Sequence, residues 1–322
     1  MSIWVAILIL IGGIALSIWG ANLLVDNAAL MARRLGLSEF VIGIVIVGIG
    51  TSFPEMSVSF YSSIMNMPDM SIGNIIGSDI FNTLMILGLT SLIKPIPYKA
   101  GNIKRDVPLS IGAAVILAGM ALFKKSFSRV EGAILLSAFV IYLLITLREG
   151  RKQATLEAAA AGCEVKEHMS FGQTVKISSF ILAGIGMLVL GGKCFVDGAS
   201  AIARACGVTE AFIAITIVAA GTSLPELVSN IVSIAKGKGQ MALGNIIGSN
   251  ISNILLIVGG SALIHPLSIT NVTIVDFAVL LLSQAFLFTA AFMFKKNTID
   301  RGDGIIYLCS YGAYLAWLIC NL

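Results

Sequence analysis

Apolar runs of about 20 residues, separated by short polar breaks, follow one another along almost the whole chain. This length matches the thickness of a bilayer, so the pattern predicts ten membrane-spanning helices. The predicted spans cover residues 3 to 25, 38 to 65, 71 to 93, 107 to 123, 130 to 147, 172 to 192, 210 to 235, 241 to 264, 272 to 294 and 303 to 321.

The spans divide evenly, five to each half. We therefore expect a first five-helix repeat over residues 1–147, an inter-repeat cytoplasmic loop over 148–170 and a second repeat over 171–322. The loop is too short for a folded regulatory domain. The first apolar run, Ile3 to Val25, lacks a basic leader and a cleavage signature, which favours a retained span over a signal peptide.

Composition supports a membrane protein. The chain is 57% hydrophobic and 12% charged, with a mean hydropathy of +0.96, so the lipid bilayer is the expected surrounding. The net charge of +4 does not indicate a nucleic-acid surface, since no basic stripe alternates with aromatic residues. The five cysteines form no CxxC pair, which favours unpaired thiols.

One segment of the chain occurs twice. Gly36 to Pro95 aligns without a gap to Gly207 to Pro266, and 27 of 60 aligned positions are identical. An odd number of spans per repeat turns the second copy upside down in the membrane. The sequence therefore predicts the inverted-topology architecture of secondary transporters.

The distribution of basic residues predicts the orientation. With both termini on the outer side, sixteen of the 21 lysines and arginines fall in inner loops and helix ends. The outer loops and helix ends then hold only Lys124, Lys125, Arg129, Lys193 and Arg204. This asymmetry follows the positive-inside rule.

Each copy places a glutamate, Glu55 or Glu226, inside an apolar span. A charge at this depth costs at least about 2.5 kcal/mol and usually marks an ion path. Pro54 and Pro225 precede these acids and leave carbonyl groups of the previous turn without an amide donor. We therefore expect helices 2 and 7 to be broken around a central cation site.

Other oxygen-bearing residues repeat beside the acids. Hydroxyls occur at Thr51, Ser52, Thr222 and Ser223, and a facing wall with four-residue spacing is predicted from Ser78, Asn82, Ser249 and Asn253. Such oxygens are the ligands that calcium prefers, and no histidine or cysteine is near in sequence. Two small-xxx-small pairs predict close helix approach, namely Gly73 with Gly77 and Gly244 with Gly248.

The repeated motifs, GTSFPE with GNIIGSDIFN and GTSLPE with GNIIGSNISN, resemble the paired alpha repeats of the calcium/cation antiporter superfamily, most closely its prokaryotic sodium/calcium exchangers. The resemblance implies that Glu55 and Glu226 share the calcium with the carbonyls of Gly48 and Ala219. It also implies sodium ligands among Thr51, Ser52, Thr222, Ser223, Ser78 and Ser249, with Asn82 and Asn253 as the central polar positions.

The chain departs from some of these relatives, which carry an aspartate where it has Asn253. It has an extra acid, Asp79, about 100 degrees around the helix from Ser78. This angle favours a position facing another helix rather than the cation cage, and direct ligation of the ion by Asp79 is the alternative. Asp26 and Asp197 recur near helix ends, where either simple solvation or a vestibule role is open.

These features predict a sodium/calcium antiporter of the cytoplasmic (inner) membrane that works by alternating access. The resemblance implies electrogenic exchange of three sodium ions for one calcium. Ca²⁺ and Na⁺ are then transported substrates, with no organic cofactor, no enzymatic activity and no obligatory protein partner expected. A proton- or potassium-coupled divalent cation exchanger and, from another class, a cation channel remain alternatives.

Overall fold

The computed structural model describes residues 2–98, 100–160, 170–209, 213–270, 272–290 and 298–321, with the side chains of 100–103, 153–160, 214 and 215 left out of the description. In chain order, the helices of these segments are α1 (Ile3–Leu35), α2 (Glu39–Thr51), α3 (Phe53–Ile64), α4 (Pro68–Ile93), α5 (Ala100–Gly119), α6 (Arg129–Ala160), α7 (Phe171–Ala205), α8 (Thr216–Thr222), α9 (Leu224–Ala235), α10 (Gly239–Ile264), α11 (Ile274–Phe288) and α12 (Arg301–Cys320).

Two spans are broken, as the prolines predicted. The axis bends by 48° between α2 and α3 and by 57° between α8 and α9. The breaks fall at Ser52 and Ser223, which both leave helical geometry, with Pro54 and Pro225 in the first turn of the next helix. Proline fits there because its missing amide hydrogen has no partner in a first helical turn.

Wider π-helical turns recur at matching places in the two halves, with their first residues 171 and 172 positions apart. They occupy Gly43–Gly48 and Ala214–Val218 before the breaks, and Phe81–Ile86 and Asn253–Val258 within α4 and α10. A π-turn adds a residue and shifts the carbonyl groups around it, which is why such turns concentrate at functional sites. Here they flank the motif residues in both copies.

Seven described helices are long and apolar enough to cross a membrane, or nine if each bent pair counts as one span. The ninth predicted span, 272 to 294, corresponds to α11 with 15 residues, and its last predicted residues lie outside the described part of the chain. The predicted loop over 148–170 differs from the structure, because α6 continues without interruption through Ala160.

Helices α4 and α10 lie at the centre of the molecule, where most of their residues are buried. Helices α1 and α7 pack along each other at one edge and expose apolar side chains on their outer faces. These outer faces fit lipid, because an apolar helix surface is stable only against an apolar solvent.

Two short antiparallel ladders connect the halves crosswise. Strand β1 (Ile96–Pro97) pairs with β4 (Thr298–Ile299), and β2 (Ser126–Phe127) pairs with β3 (Leu267–Ser268). Each ladder therefore joins one connection from the first half to one from the second.

Candidate cation site

The two break serines donate hydrogen bonds across the repeats to the two motif glutamates. Ser223 Oγ donates to Glu55 Oε1 at 3.0 Å, and Ser52 Oγ donates to Glu226 Oε1 at 3.2 Å. Both carboxylates are fully buried. Each bent helix thus holds the acid of the other one in place.

The central helices supply the facing wall. Ser78 Oγ lies 3.1 Å from Ser223 Oγ and 3.5 Å from Glu55 Oε1. Asn253 Nδ2 donates to Ser78 Oγ at 3.4 Å. Asn82 Nδ2 donates to Oδ1 of Asn250 on α10 at 3.1 Å. Ser78, Asn82 and Asn253 are all buried, so this wall is a polar surface at the middle of the molecule.

Several oxygen atoms of this cluster are buried and accept no hydrogen bond from the described residues. They are Glu55 Oε2, Glu226 Oε2, Asn82 Oδ1 and Asn253 Oδ1. A buried acceptor without a partner costs about 1 to 3 kcal/mol, and more when charged. A hard cation such as Na⁺ or Ca²⁺ offsets this cost, since it takes carboxylate and amide oxygens as ligands.

The half of the site formed by the first repeat is tightly closed. Thr51 Oγ1 donates to the Val47 carbonyl at 2.9 Å and lies 3.3 Å from Asn245 Oδ1. Ser249 Oγ donates to the Gly48 carbonyl at 3.2 Å. The carbonyl of Gly48, a predicted calcium ligand, therefore accepts a hydrogen bond in this structure.

The equivalent half from the second repeat is open. Ala219 is exposed and Thr222 is partly exposed, and Thr222 Oγ1 donates to the Ala219 carbonyl at 3.1 Å. Both residues line a cavity of about 450 Å³ that reaches Ser78. Its other lining residues come from α3, α4, α8 and α12: Val58, Met70, Gly73, Asn74, Gly77, Phe81, Val218, Tyr311, Tyr314, Leu315 and Leu318.

The predicted glycine contacts form in one repeat only. A Cβ atom on Gly244 would lie 2.2 Å from the Phe40 carbonyl oxygen, and one on Gly248 would lie 2.6 Å from Ile44 Cα. Close packing of α10 on α2 thus requires glycine at both positions. The expectation of close helix contact is wrong for Gly73 and Gly77. No atom of the described residues lies within 4 Å of a Cβ placed on either glycine. Both glycines line the cavity instead.

Several polar residues of the site were missed by sequence reasoning. Asn74 donates to the Glu55 carbonyl at 3.2 Å, Asn245 donates to Ser229 Oγ at 3.0 Å, and Asn230 donates to the Glu226 carbonyl at 2.9 Å. The duplicated Gly-Asn dipeptide was a signal for the first two. Asn230 carries no such signal, because its counterpart in the first repeat is a serine.

Asp79 faces the other repeat, as its helical angle suggested, but it is not remote from the site. The side chain is fully buried, and its Oδ1 accepts a hydrogen bond from Asn253 Nδ2 at 2.9 Å. Its contact partner is therefore one of the predicted site residues.

The remaining candidates lie away from this cluster. Asp26 forms ion pairs with Lys236 at 2.7 Å and Lys238 at 3.4 Å, whereas Asp197 is exposed. His265 is partly exposed, with its ring Nδ1 3.0 Å from the Pro266 carbonyl. Cys194, Cys206, Cys309 and Cys320 are unpaired, while Cys163 and His168 lie outside the described residues.

The fold and the site define a helical membrane transporter for cations. The family model for the sodium/calcium exchanger protein matches residues 5–148 and 177–320, and the chain belongs to this family.

Relatives match over nearly their whole length. The putative antiporter CaxA of Alkalimonas amylolytica is 34% identical, over 96% of this chain and 97% of that protein. The sodium/calcium exchanger MaX1 of Methanosarcina acetivorans is 30% identical, over 98% and 99%. The inner membrane protein YrbG of Escherichia coli is 32% identical, over 96% and 94%.

Solved structures of the sodium-calcium exchanger NCX_Mj share the fold. The crystal soaked with 10 mM Na⁺ and zero Ca²⁺ superposes with a TM-score of 0.83 at 31% identity, covering 98% of this chain and 99% of that chain. Another of these crystals was soaked with 2.5 mM Na⁺ and 0.1 mM Ca²⁺ and superposes with a TM-score of 0.82.

Proposed function

We propose that this protein exchanges Na⁺ for Ca²⁺ across the cytoplasmic membrane. The observation that carries the proposal is the pair of fully buried carboxylates, Glu55 and Glu226, each held by a serine of the opposite repeat. Two negative charges balance one Ca²⁺, and the surrounding hydroxyl and amide oxygens suit dehydrated Na⁺. Family membership and the likeness to NCX_Mj support the same cargo.

The ligands in this proposal come from both repeats. We assign the calcium to Glu55 and Glu226 with help from the carbonyls of Gly48 and Ala219. The sodium ions use the hydroxyls and amides around them, namely those of Thr51, Ser52, Thr222, Ser223, Ser78, Ser249, Asn82 and Asn253. The Gly48 carbonyl must exchange its hydrogen bond from Ser249 for the cation.

An inverted pair of five-helix repeats accounts for several independent features. The breaks at Ser52 and Ser223 lie 171 residues apart, as do the glutamates that follow them. The strand ladders β1–β4 and β2–β3 also exchange with each other when the halves are interchanged. An in-plane pseudo-twofold axis through the site, as in other transporters, would produce both regularities.

The inequality of the two halves supports alternating access. The cation cluster reaches a cavity on the second-repeat side, past Ala219 and Thr222, whereas Gly48 and Thr51 are buried on the other side. The cavity lining extends to Leu318 at the C-terminal end of α12. With both termini on the outer side of the membrane, this is an outward-open arrangement, and its mirror image would be inward-open.

This assignment makes the protein a transporter rather than an enzyme. Its partners are inorganic cations and the lipid bilayer. The experiment that tests it is ⁴⁵Ca²⁺ uptake into proteoliposomes under separately imposed Na⁺, K⁺ and proton gradients. We expect uptake driven by the Na⁺ gradient alone, saturable in calcium and coupled to Na⁺ exit.

The other outcomes separate the alternatives. Uptake driven by a proton gradient, or one that requires K⁺ beside Na⁺, would replace sodium/calcium exchange with the other coupling modes of the superfamily. Calcium flux without any counter-ion would indicate a channel.

A further inference from the structure

The orientation of an amide side chain decides whether it can bind a cation. Asparagine carries one acceptor oxygen and one NH₂ group of nearly the same shape, and only the oxygen is a cation ligand. Besides Asp79 Oδ2, the Oδ1 atoms of Asn82 and Asn253 are buried and accept no hydrogen bond from the described residues. Something in the structure must hold their NH₂ groups away from the cation.

The NH₂ group of Asn82 is held by two residues in series. Asn82 Nδ2 donates to Asn250 Oδ1 at 3.1 Å. Asn250 is itself an amide, and it presents its oxygen to Asn82 because its own Nδ2 donates to Thr83 Oγ1 at 2.8 Å. In this structure the threonine hydroxyl accepts from Asn250 and Asn250 accepts from Asn82, so the orientations of the two amides are linked.

For Asn253 a single residue suffices. Asn253 Nδ2 donates to Asp79 Oδ1 at 2.9 Å, and both side chains are fully buried. The repeat offset of 171 places Asp79 where the second repeat has Asn250, and Ile254 where the first repeat has Thr83. Both terminal atoms of a carboxyl group are oxygens, so the Asp79 side chain presents an acceptor to the NH₂ end of Asn253 in either orientation. It needs no hydroxyl to orient it, which explains why an isoleucine is tolerated at 254.

We propose that Asp79 is a positioning residue for the cation site, which turns the oxygen of Asn253 toward the ion without binding the ion itself. The pairs Asp79 with Ile254 and Asn250 with Thr83 are then two equivalent solutions to one problem. This inference rests on the proposed function, because it concerns the ligands of the transported cations.

The test converts the pair Asp79 with Ile254 into the type of pair that Asn250 forms with Thr83. In Asp79→Asn, the amide at 79 has no hydroxyl to orient it, so the Asn253 oxygen is no longer directed to the ion. Loss of such supporting contacts typically costs about 10- to 100-fold in metal affinity, and we expect a rise of that size in the apparent KM for cations. The double variant Asp79→Asn with Ile254→Thr rebuilds the arrangement of the other repeat and should recover most of the affinity. Ile254→Thr alone measures the effect of the new hydroxyl.

A reciprocal pair of variants makes the same exchange in the other direction, so the test does not depend on the folding of the Asp79 variants alone. Thr83→Ile should weaken cation binding through Asn82, and adding Asn250→Asp should restore it. Two readouts are used on each protein: the KM for Ca²⁺ and Na⁺ in proteoliposomes, and the increase in Tm caused by CaCl₂ in detergent. A variant that merely loosens the core lowers the Tm without cation but leaves the CaCl₂ concentration needed for half of the increase unchanged.

The results distinguish this inference from its alternatives. Wild-type affinity in Asp79→Asn would overturn it, as would a double variant that stays as weak as Asp79→Asn, since that result would make the Asp79 charge itself a ligand. If the wild-type protein shows no cation-dependent transport and no stabilisation by CaCl₂, the proposed function fails instead.

Discussion

At the scale of single residues, the site is built from reciprocal contacts between the two repeats. Each glutamate uses one carboxylate oxygen to accept a hydrogen bond from the opposite break serine and keeps the other oxygen free. The serines are available because the helix breaks at their positions. A cation bound by the free oxygens would therefore contact both halves of the protein at once.

The first prediction concerns the charge of the two acids. We expect Glu55→Gln and Glu226→Gln each to reduce calcium transport at least about a hundredfold, because the loss of a charged ligand exceeds the loss of a supporting contact. Proteoliposome ⁴⁵Ca²⁺ uptake measures this. Glu149→Gln is the matched control, since Glu149 is largely exposed and pairs with Arg105 away from the site. Near-normal flux in either site variant would remove the carboxylate pair from the mechanism.

The second prediction concerns a neutral ligand. Ser223→Ala removes a hydroxyl that holds Glu55 at 3.0 Å, and we expect the sodium affinity to fall about fivefold, for a loss of about 1 kcal/mol. Calcium affinity should change less, because both charged ligands remain. The concentration dependence of transport on each ion gives both values. Ser57→Ala is the control, as Ser57 is exposed and bonds only the Phe53 carbonyl. A larger loss for calcium than for sodium would reverse the ligand assignment.

At the scale of elements, two helix pairs with the same motif pack differently. Helix α10 contacts α2 through Gly244 and Gly248, whereas Gly73 and Gly77 of α4 face the cavity beside α8. Under the repeat relation, α4 and α8 stand to each other as α10 and α2 do. Closure of the cavity would then bring α8 onto the glycines of α4, as α2 already lies on those of α10.

The third prediction tests this closure. In Gly77→Val the side chain meets open space in the present state, so folding and calcium binding should persist. In the closed state it would overpack α8, at a cost of about 1 to 3 kcal/mol, and transport should fall about fivefold or more. The measurements are the rate of ⁴⁵Ca²⁺ uptake and the stabilisation by CaCl₂ in detergent.

Gly112→Val is the control for this experiment. Gly112 also lies in a helix with no atom near the position of a Cβ, but it is in α5 and does not line the cavity. Unchanged transport in Gly77→Val would show that α8 does not approach α4 during the cycle.

At the scale of the whole molecule, the cluster of buried oxygen atoms around Glu55 and Glu226 borders a cavity on the second-repeat side and buried residues on the first-repeat side. The fixed charges of the site are the same whichever cargo it carries, so the charge moved per cycle equals the difference between the two cargoes. For three Na⁺ against one Ca²⁺ this difference is one positive charge, worth about 2.3 kcal/mol per 100 mV.

The fourth prediction follows from this difference. Calcium uptake driven by Na⁺ leaving the vesicle should speed up when a potassium diffusion potential makes the vesicle interior positive, and slow when the potential is reversed. Valinomycin with chosen K⁺ gradients sets the potential, and ⁴⁵Ca²⁺ uptake reports the rate. Uptake that ignores the potential would indicate electroneutral exchange.

The amino-acid sequence by itself determined the features that depend on local chemistry. Apolar runs, prolines and duplicated motifs located the two breaks and the two glutamates, because hydropathy and the missing proline amide act within a turn or a span. The overall membership in the exchanger family was likewise readable from the repeated motifs.

Only the tertiary structure decided which copy of each motif is open and what each side chain meets. Gly77 and Gly248 occupy the same place in identical motifs, yet one lines a cavity and the other touches Ile44. The contact of Asp79 with Asn253 joins residues 174 positions apart. Such properties depend on the relative placement of helices that are distant in sequence, and no local pattern of residues encodes that placement.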